Sequence, residues 1–478
     1  MGRPVVGGSA DNSDGGGVVS TSGAASATRS DHRIRKIRLS PRAIKSASAS
    51  VFVARRSPSS LHWTLDQSAP DLGRNPTFCN MLTEGEANEL RSVVQTFGGF
   101  VPRLAALYVA LFILPGIQMP FFPIWLKAKD VDASLIGVVL AVPMVARVLA
   151  IPVVAREADR RDAARDVLIL ASIGSVAGYV LVGLSTSVIA ILLTYTLTSL
   201  FYTPLMPLAE TYALKGLAAR GRAYGPVRLW GSFAFIFGNL AAGLAADIIR
   251  ARDLIWLMAA ASVLIALAAW KLEPLSVNAP EHGSPAATRP ASLRDPAFVA
   301  VFVGASLIQA SHALFYGFSA LQWHAAGFDG TFIAVLWALG VVAEIVLFAV
   351  QARLPPFFSP TTLLMVGAAA GVLRWFGMAA DPPALVLPWL QLLHALSFGA
   401  THLGALMFLA HNAPARQAAT AQGYLAITAG LAMAAATGIS GVLYQDFGSR
   451  AYVAMALVAF AGGTCGFVAH RTWRNATS

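Results

Sequence analysis

Apolar runs of about 20 residues recur from residue 104 to residue 470, and no other feature constrains this chain as strongly. About 20 residues of α-helix span about 30 Å, the thickness of a bilayer's hydrocarbon core. Lipid supplies no hydrogen-bond partners, so segments that cross it must satisfy their own backbone as helices. Twelve runs are legible: 104–126, 133–155, 167–185, 187–209, 224–247, 253–271, 297–320, 330–351, 361–379, 384–410, 419–443 and 449–470. The expected class is an all-α membrane protein with twelve transmembrane helices. Charged residues make up only 12% of the 478, half the share of about 25% found in soluble domains.

Residues 272–296, `LEPLSVNAPEHGSPAATRPASLRDP`, are polar and rich in Pro, Ala and Ser. They read as a cytoplasmic linker between six-helix halves at 104–271 and 297–470. Residues 81–103 and 471–478 read as cytoplasmic ends. Residues 1–80 are rich in Gly, Ser and Arg and lack the apolar stretch of a secretory signal. They read as a disordered tail, or as sequence upstream of a true start at Met81.

The formal net charge of +11 does not point to nucleic acid. Residues 1–80 hold 11 Lys and Arg against 5 Asp and Glu, and the remaining basic residues follow membrane topology. With both ends inside, the inward loops after residue 81 carry 16 Lys and Arg and the outward loops 5. That bias is the positive-inside pattern and predicts cytoplasmic termini. Cys79 and Cys465 show neither metal spacing nor a disulfide framework.

The halves resemble each other. `ASLIGVVLAVPMVARVLAIPVVA` from residue 133 aligns without gaps over `GTFIAVLWALGVVAEIVLFAVQA` from residue 330, with seven identities in 23. Arg147 falls opposite Glu344 in this alignment. Both are ionisable groups inside apolar runs, a costly placement that marks function by default. Parallel six-helix halves with a substrate site between them are a transporter architecture. Arg147 has no partner evident in sequence, and its planar guanidinium would suit a substrate carboxylate. Glu344 lies about 21 Å below the start of its helix, in the cytoplasmic half.

Other polar groups sit within the runs. Gln309, His312 and Tyr316 share one face of the seventh helix, beside Phe315. Tyr108, Phe112 and Gln118 lie on the first. Arg374 in the ninth helix and His394 in the tenth lie at similar depths, and histidine titrates near neutrality. Glu210 ends the fourth helix beyond Pro204 and Pro207, which should kink it. His394 and His402 are about 12 Å apart along one helix, too far to share a metal ion.

Several stretches are similar to the major facilitator superfamily, and within it to the bacterial 3-phenylpropionate transporter family: `PFFPIWLKA` at 120, `PLMPLAETYAL` at 204, `YGPVRLWGSFAF` at 224, `HALFYGFSALQW` at 312 and `LWALGVVAEIVLF` at 336. The resemblance covers most of residues 100–470. It implies proton-coupled uptake of an aromatic carboxylic acid by relatives of lactose-permease-type symporters. It also implies a cavity lined by the first, fourth, seventh and tenth helices, and contact between the fifth and eighth. Arg228 then becomes a partner for Glu344, and Arg374 with His394 a proton-coupling region. The family's usual loop after the second helix is altered here to `AREADRRDAARD`, with Ala155 and Asp162 in place of glycines.

The expectation is therefore a monomeric secondary transporter in a bacterial inner membrane. Its partners are a small-molecule substrate, protons and the bilayer. It needs no cofactor beyond the proton gradient and no metal. Tyr108, Phe112, Gln118, Arg147, Gln309, His312 and Tyr316 are the expected cavity residues. Glu344, Arg228, Glu210, Arg374 and His394 are expected to couple protons or gate. A sugar or nucleoside symporter is the transporter alternative. A membrane-embedded enzyme or receptor is the alternative of another class, although no phosphate loop, metal cluster or nucleophile elbow is found.

Overall fold

Twelve helices follow one another in the expected order. The protein is described by a computed structural model covering residues 55–57, 60–62, 99–161, 164–275, 293, 295–353, 355, 358–413 and 417–477, without the side chains of 55–57, 60–62, 149–161, 418–419 and 473–477. The helices are α1 (Phe100–Ala128), α2 (Ala133–Arg161), α3 (Ala164–Leu184), α4 (Val188–Tyr202 continuing as Leu205–Ala218), α5 (Gly225–Ala246) and α6 (Ile255–Trp270). After the linker come α7 (Pro296–Ala310 and Ala313–Ala325), α8 (Gly330–Val350), α9 (Pro360–Ala379), α10 (Leu387–Leu392 to Thr401–Asn412), α11 (Ala418–Phe447) and α12 (Tyr452–Thr477). By length and composition, ten stretches among the described residues can cross a membrane, one of them holding both α11 and α12. The second helix is apolar over Ala133–Val148 and completes the set.

The breaks have local causes. In α4 the chain turns at Thr203 and Pro204, as expected from a residue that lacks an N–H. In α7 the Ser311 hydroxyl and the His312 Nδ1 both turn back on the Ile308 carbonyl, at 2.7 and 3.1 Å. Side chains that compete for helix carbonyls loosen the ladder at that turn. In α10, Ala395–Ala400 form a π-helical turn, a feature common at functional sites and not foreseen from the sequence.

The duplication extends beyond α2 and α8. Asp130 (φ 62°) and Gly327 (φ 87°) take left-handed conformations in the α1–α2 and α7–α8 turns, 197 positions apart. The 3-10 turns Ala251–Asp253 and Gly448–Ala451 begin at the same separation, as do α6 and α12.

The turns after odd-numbered helices define one end of the bundle, the hairpin side. The loops after even-numbered helices define the other, the linker side. The two halves meet towards the hairpin side, α2 against α11, α5 against α8, and the second piece of α7 against α1. Gly137 and Gly441 bring α2 and α11 into backbone contact, which any side chain there would prevent. One apolar cluster runs from Leu104 and Trp125 across to Trp375 and Tyr452. Around Phe298, Phe302 and Phe408 the linker-side end of the second half has a separate cluster. Large apolar side chains such as Leu170, Ile189, Phe237, Trp389 and Phe460 stay exposed on the bundle's outer faces, where lipid would cover them.

The expected loop `AREADRRDAARD` is described only in part. Arg165 donates to the Leu272 and Trp270 carbonyls at 2.8 and 3.3 Å. The linker beyond Leu275 lies almost wholly outside the described residues. The same holds for residues 1–80, apart from two strands. Arg55–Ser57 and Ser60–His62 pair antiparallel, with Arg55 opposite His62.

Candidate functional site

A cavity of about 790 Å³ opens between the halves and reaches Tyr224 and Gln351 on the linker side. The first half contributes Phe112 and Met119 from α1 and Arg228, Ser232 and Phe235 from α5. The second contributes Phe315 and Tyr316 (α7), Trp337 and Glu344 (α8), Arg374 (α9), and Gln391, His394 and Phe398 (α10). Most of its wall is apolar and aromatic, with a few convergent polar groups, the usual composition of a small-molecule site.

The polar groups form a connected series. Glu344 Oε2 lies 3.7 Å from His394 Nε2. His394 Nδ1 accepts from Arg374 Nη1 at 3.1 Å, and Arg374 Nη2 donates to Gln391 Oε1 at 2.6 Å. Arg374 is fully buried within the cavity wall. Its guanidinium lies over the rings of Phe315 and Trp375, 4.4 and 4.6 Å from their centroids. No carboxylate among the described residues comes within ion-pair distance of it, and its Nε has no partner. Such a charge is tolerable only through the amide, the imidazole and the two π faces. His394 packs on Gly340 of α8, where a Cβ would crowd the imidazole.

Several expected residues meet here. Phe112, Tyr316, Arg228, Glu344, Arg374 and His394 all border the cavity. Glu344 and Arg228 face the same cavity without a direct ion pair, and the nearer contact of Glu344 is the His394 imidazole. Arg228 instead lies over the Phe112 ring at 4.3 Å. It faces the same cavity and influences Glu344 only through space.

Others are elsewhere. Tyr108 is buried, and its hydroxyl donates to Tyr224, which in turn interacts with Glu210. Gln118 is enclosed within the first half, donating to Tyr195 and accepting from Tyr179. Arg147 has the phenols of Tyr195 and Tyr202 as electrostatic neighbours and does not line the cavity. His312 is buried, with Nε2 3.0 Å from the Ser397 hydroxyl, and Gln309 lies outside the wall. The implied lining by α4 gives way to α5, α8 and α9.

Sequence reading missed Gln391, Trp337 and Phe398. Gln391 carried a usable signal, because it precedes His394 by three residues and so shares its face. The two aromatics looked like ordinary apolar helix positions.

The MFS_1 like family matches residues 101–454. The chain is 32% identical over 367 residues to the "Probable 3-phenylpropionic acid transporter" of Escherichia coli (strain K12), covering 74% of this chain and 94% of that protein. It is 25% identical over 346 residues to the "Maltose permease" of Geobacillus stearothermophilus, covering 71% and 86%. Among solved structures, the nucleoside transporter NupG superposes with a TM-score of 0.67 at 17% identity, covering 78% of this chain and 99% of that one. A bacterial homolog of the human lysosomal transporter Spinster, in an inward-facing and occupied conformation, gives 0.63 at 16%, covering 80% and 97%. A non-enzymatic secondary transporter of twelve helices in two halves, the chain belongs to the MFS_1 like family and, within the major facilitator superfamily, to the group resembling the 3-phenylpropionate transporter.

Proposed function

We propose that this protein takes up an aromatic carboxylate of the phenylpropionate type together with protons, by alternating access. The observation that carries the reading is Arg374, a buried guanidinium in an aromatic cavity wall, with no carboxylate in ion-pair reach among the described residues. A buried cation favours an anion, and a guanidinium matches a carboxylate with two parallel hydrogen bonds. Phe112, Phe315, Tyr316, Trp337 and Phe398 supply faces for an aryl ring. The name of the Escherichia coli relative points to the same substrate class.

Coupling follows from shared donors. Guanidinium nitrogens only donate, so while Arg374 holds His394 the imidazole carries its proton on Nε2, facing Glu344. A substrate carboxylate at Arg374 competes with His394 for those N–H groups. Once released, His394 Nδ1 can accept a proton, and the Glu344 carboxylate balances the added charge. The Glu344–His394 pair thus loads its proton when substrate is bound. The cavity opens on the linker side, and the bias of basic residues supports reading that side as cytoplasmic.

Uptake of labelled 3-phenylpropionate into proteoliposomes tests this reading. Accumulation above equilibrium that collapses with a protonophore is expected. Gradient-independent accumulation would overturn the coupling. Displacement by maltose or a nucleoside, but not by aryl acids, would overturn the substrate class.

A further inference from the structure

The first free N–H groups of α8 are satisfied from two sources. Asp329 caps the helix from its own chain end, its Oδ1 accepting from Phe332 N at 2.6 Å. Gly330 and Thr331 are bonded instead by Asp247, at the end of α5 in the other half. Asp247 Oδ1 accepts from Gly330 N at 2.5 Å, and Oδ2 accepts from Thr331 N at 3.0 Å and from its hydroxyl at 2.7 Å. A helix N-terminus leaves such donors open and carries partial positive charge, so a carboxylate is a strong cap.

The contact is built for close approach. A Cβ on Gly330 would run into the Gly243 carbonyl and the Asp247 carboxylate, and one on Gly243 would run into Gly330 and Ala334. One turn further in, buried Asn239 donates to the Ala334 carbonyl at 2.7 Å. Asn239, Gly243 and Asp247 form a single stripe along α5. The facing contact between α2 and α11 holds, among the described residues and besides its glycines, Ser134 N to Gln445 Oε1 at 3.2 Å and the Thr437 hydroxyl to Met144 Sδ at 3.8 Å, with no carboxylate cap.

We propose that Asp247 is a latch, capping α8 across the interface and holding the two halves shut on the hairpin side. Opening of that side pulls α5 from α8 and strands two backbone N–H groups together with the Thr331 hydroxyl. The latch also senses acid. Burial alone would raise the Asp247 carboxyl, but the bonds from Thr331 and Gly330, with the field of His324, hold it below its ordinary value. Of the charged groups on the neighbouring elements, Asp329 caps its own helix at Phe332, and Arg250 and Asp253 on the α5–α6 turn pair with each other at 2.8 Å. A carboxyl depressed in the latched state stabilises that state above its ordinary pKa and loses this hold as pH falls through the depressed value. Acid on the hairpin side therefore releases the latch. On the orientation inferred above, that is the compartment from which protons enter.

Distance measurements between spin labels at Ile248→Cys and Ala326→Cys, in full-length protein with Cys79→Ser and Cys465→Ser, test this without substrate. The wild-type background should show a growing population separated on the hairpin side as pH falls from about 4.5 towards about 2.5, through and below the ordinary carboxyl value of about 3.9. Asp247→Asn should raise that population roughly tenfold at neutral pH and remove its pH dependence, whereas Asp247→Glu should retain the dependence. Thr331→Val, which removes one bond, should give a smaller shift in the same direction. An unchanged distance distribution in Asp247→Asn overturns the proposal. If that variant does not fold, a wild-type distribution insensitive to pH, or no shift in Thr331→Val, overturns it as well. Because no substrate is present, failure here is distinguishable from failure of the transport reading.

Discussion

Arg374 and His394 share a hydrogen bond of 3.1 Å between Nη1 and Nδ1, and only one of the two can be its donor. The guanidinium has no acceptor, so the bond fixes the imidazole as the Nε2–H tautomer. Nitrogen NMR of histidine-labelled protein should show His394 in this neutral form without substrate. Addition of 3-phenylpropionate should shift its Nδ1 resonance. An unliganded His394 protonated on Nδ1 would contradict the geometry.

Arg374→Lys should fail to replace the wild type. A lysine keeps the charge but cannot reach Gln391 and a carboxylate with two parallel donors. Loss of charge-assisted bonds worth about 1.5–3 kcal/mol should weaken aryl-acid binding roughly ten- to a hundredfold. Calorimetric titration of purified variants measures this directly, and wild-type affinity in the lysine variant would refute it.

Glu344→Gln should separate binding from coupling. Gln keeps the size but cannot balance charge on His394, 3.7 Å away. Substrate counterflow should persist, while uphill accumulation driven by a proton gradient should fall to background. His394→Gln should produce the same separation. Full accumulation in both variants would place the proton elsewhere.

Asn239→Ala should lower thermal stability. The change removes the Asn239 bond to the Ala334 carbonyl across the interface, worth about 0.5–1.5 kcal/mol. A fluorescence unfolding curve in detergent should shift to lower temperature, and an unchanged curve would show that the interface compensates.

The helices were legible because lipid leaves the backbone one solution and composition marks each span. Glu344, Arg374 and His394 were legible because ionisable groups in apolar runs stand out. Their pairing was not. Depth along separate helices cannot say that Arg228 turns onto Phe112 while Glu344 turns towards α10. The π-helical turn of α10 was equally hidden, because its sequence, `ALSFGA`, differs little from ordinary helix. Residue identities mark the duplication most clearly along α2 and α8. In the turns between them and the preceding helices, backbone shape repeats as well, with Asp130 and Gly327 adopting the same unusual conformation through different side chains.

The matched turns imply a frame with approximate twofold symmetry about an axis through the cavity. A ligand in a truly symmetric frame would have two equivalent poses and could tumble between them. Here the wall breaks the tie. The second half holds Glu344, Arg374, Gln391 and His394, whereas the first offers Arg228 stacked on a phenyl ring. On the proposed function, an aryl acid would meet one preferred heading, carboxylate towards α9 and α10 and ring towards α1 and α5. The duplicated scaffold supplies the motion, and the unequal halves give the cargo a front and a back.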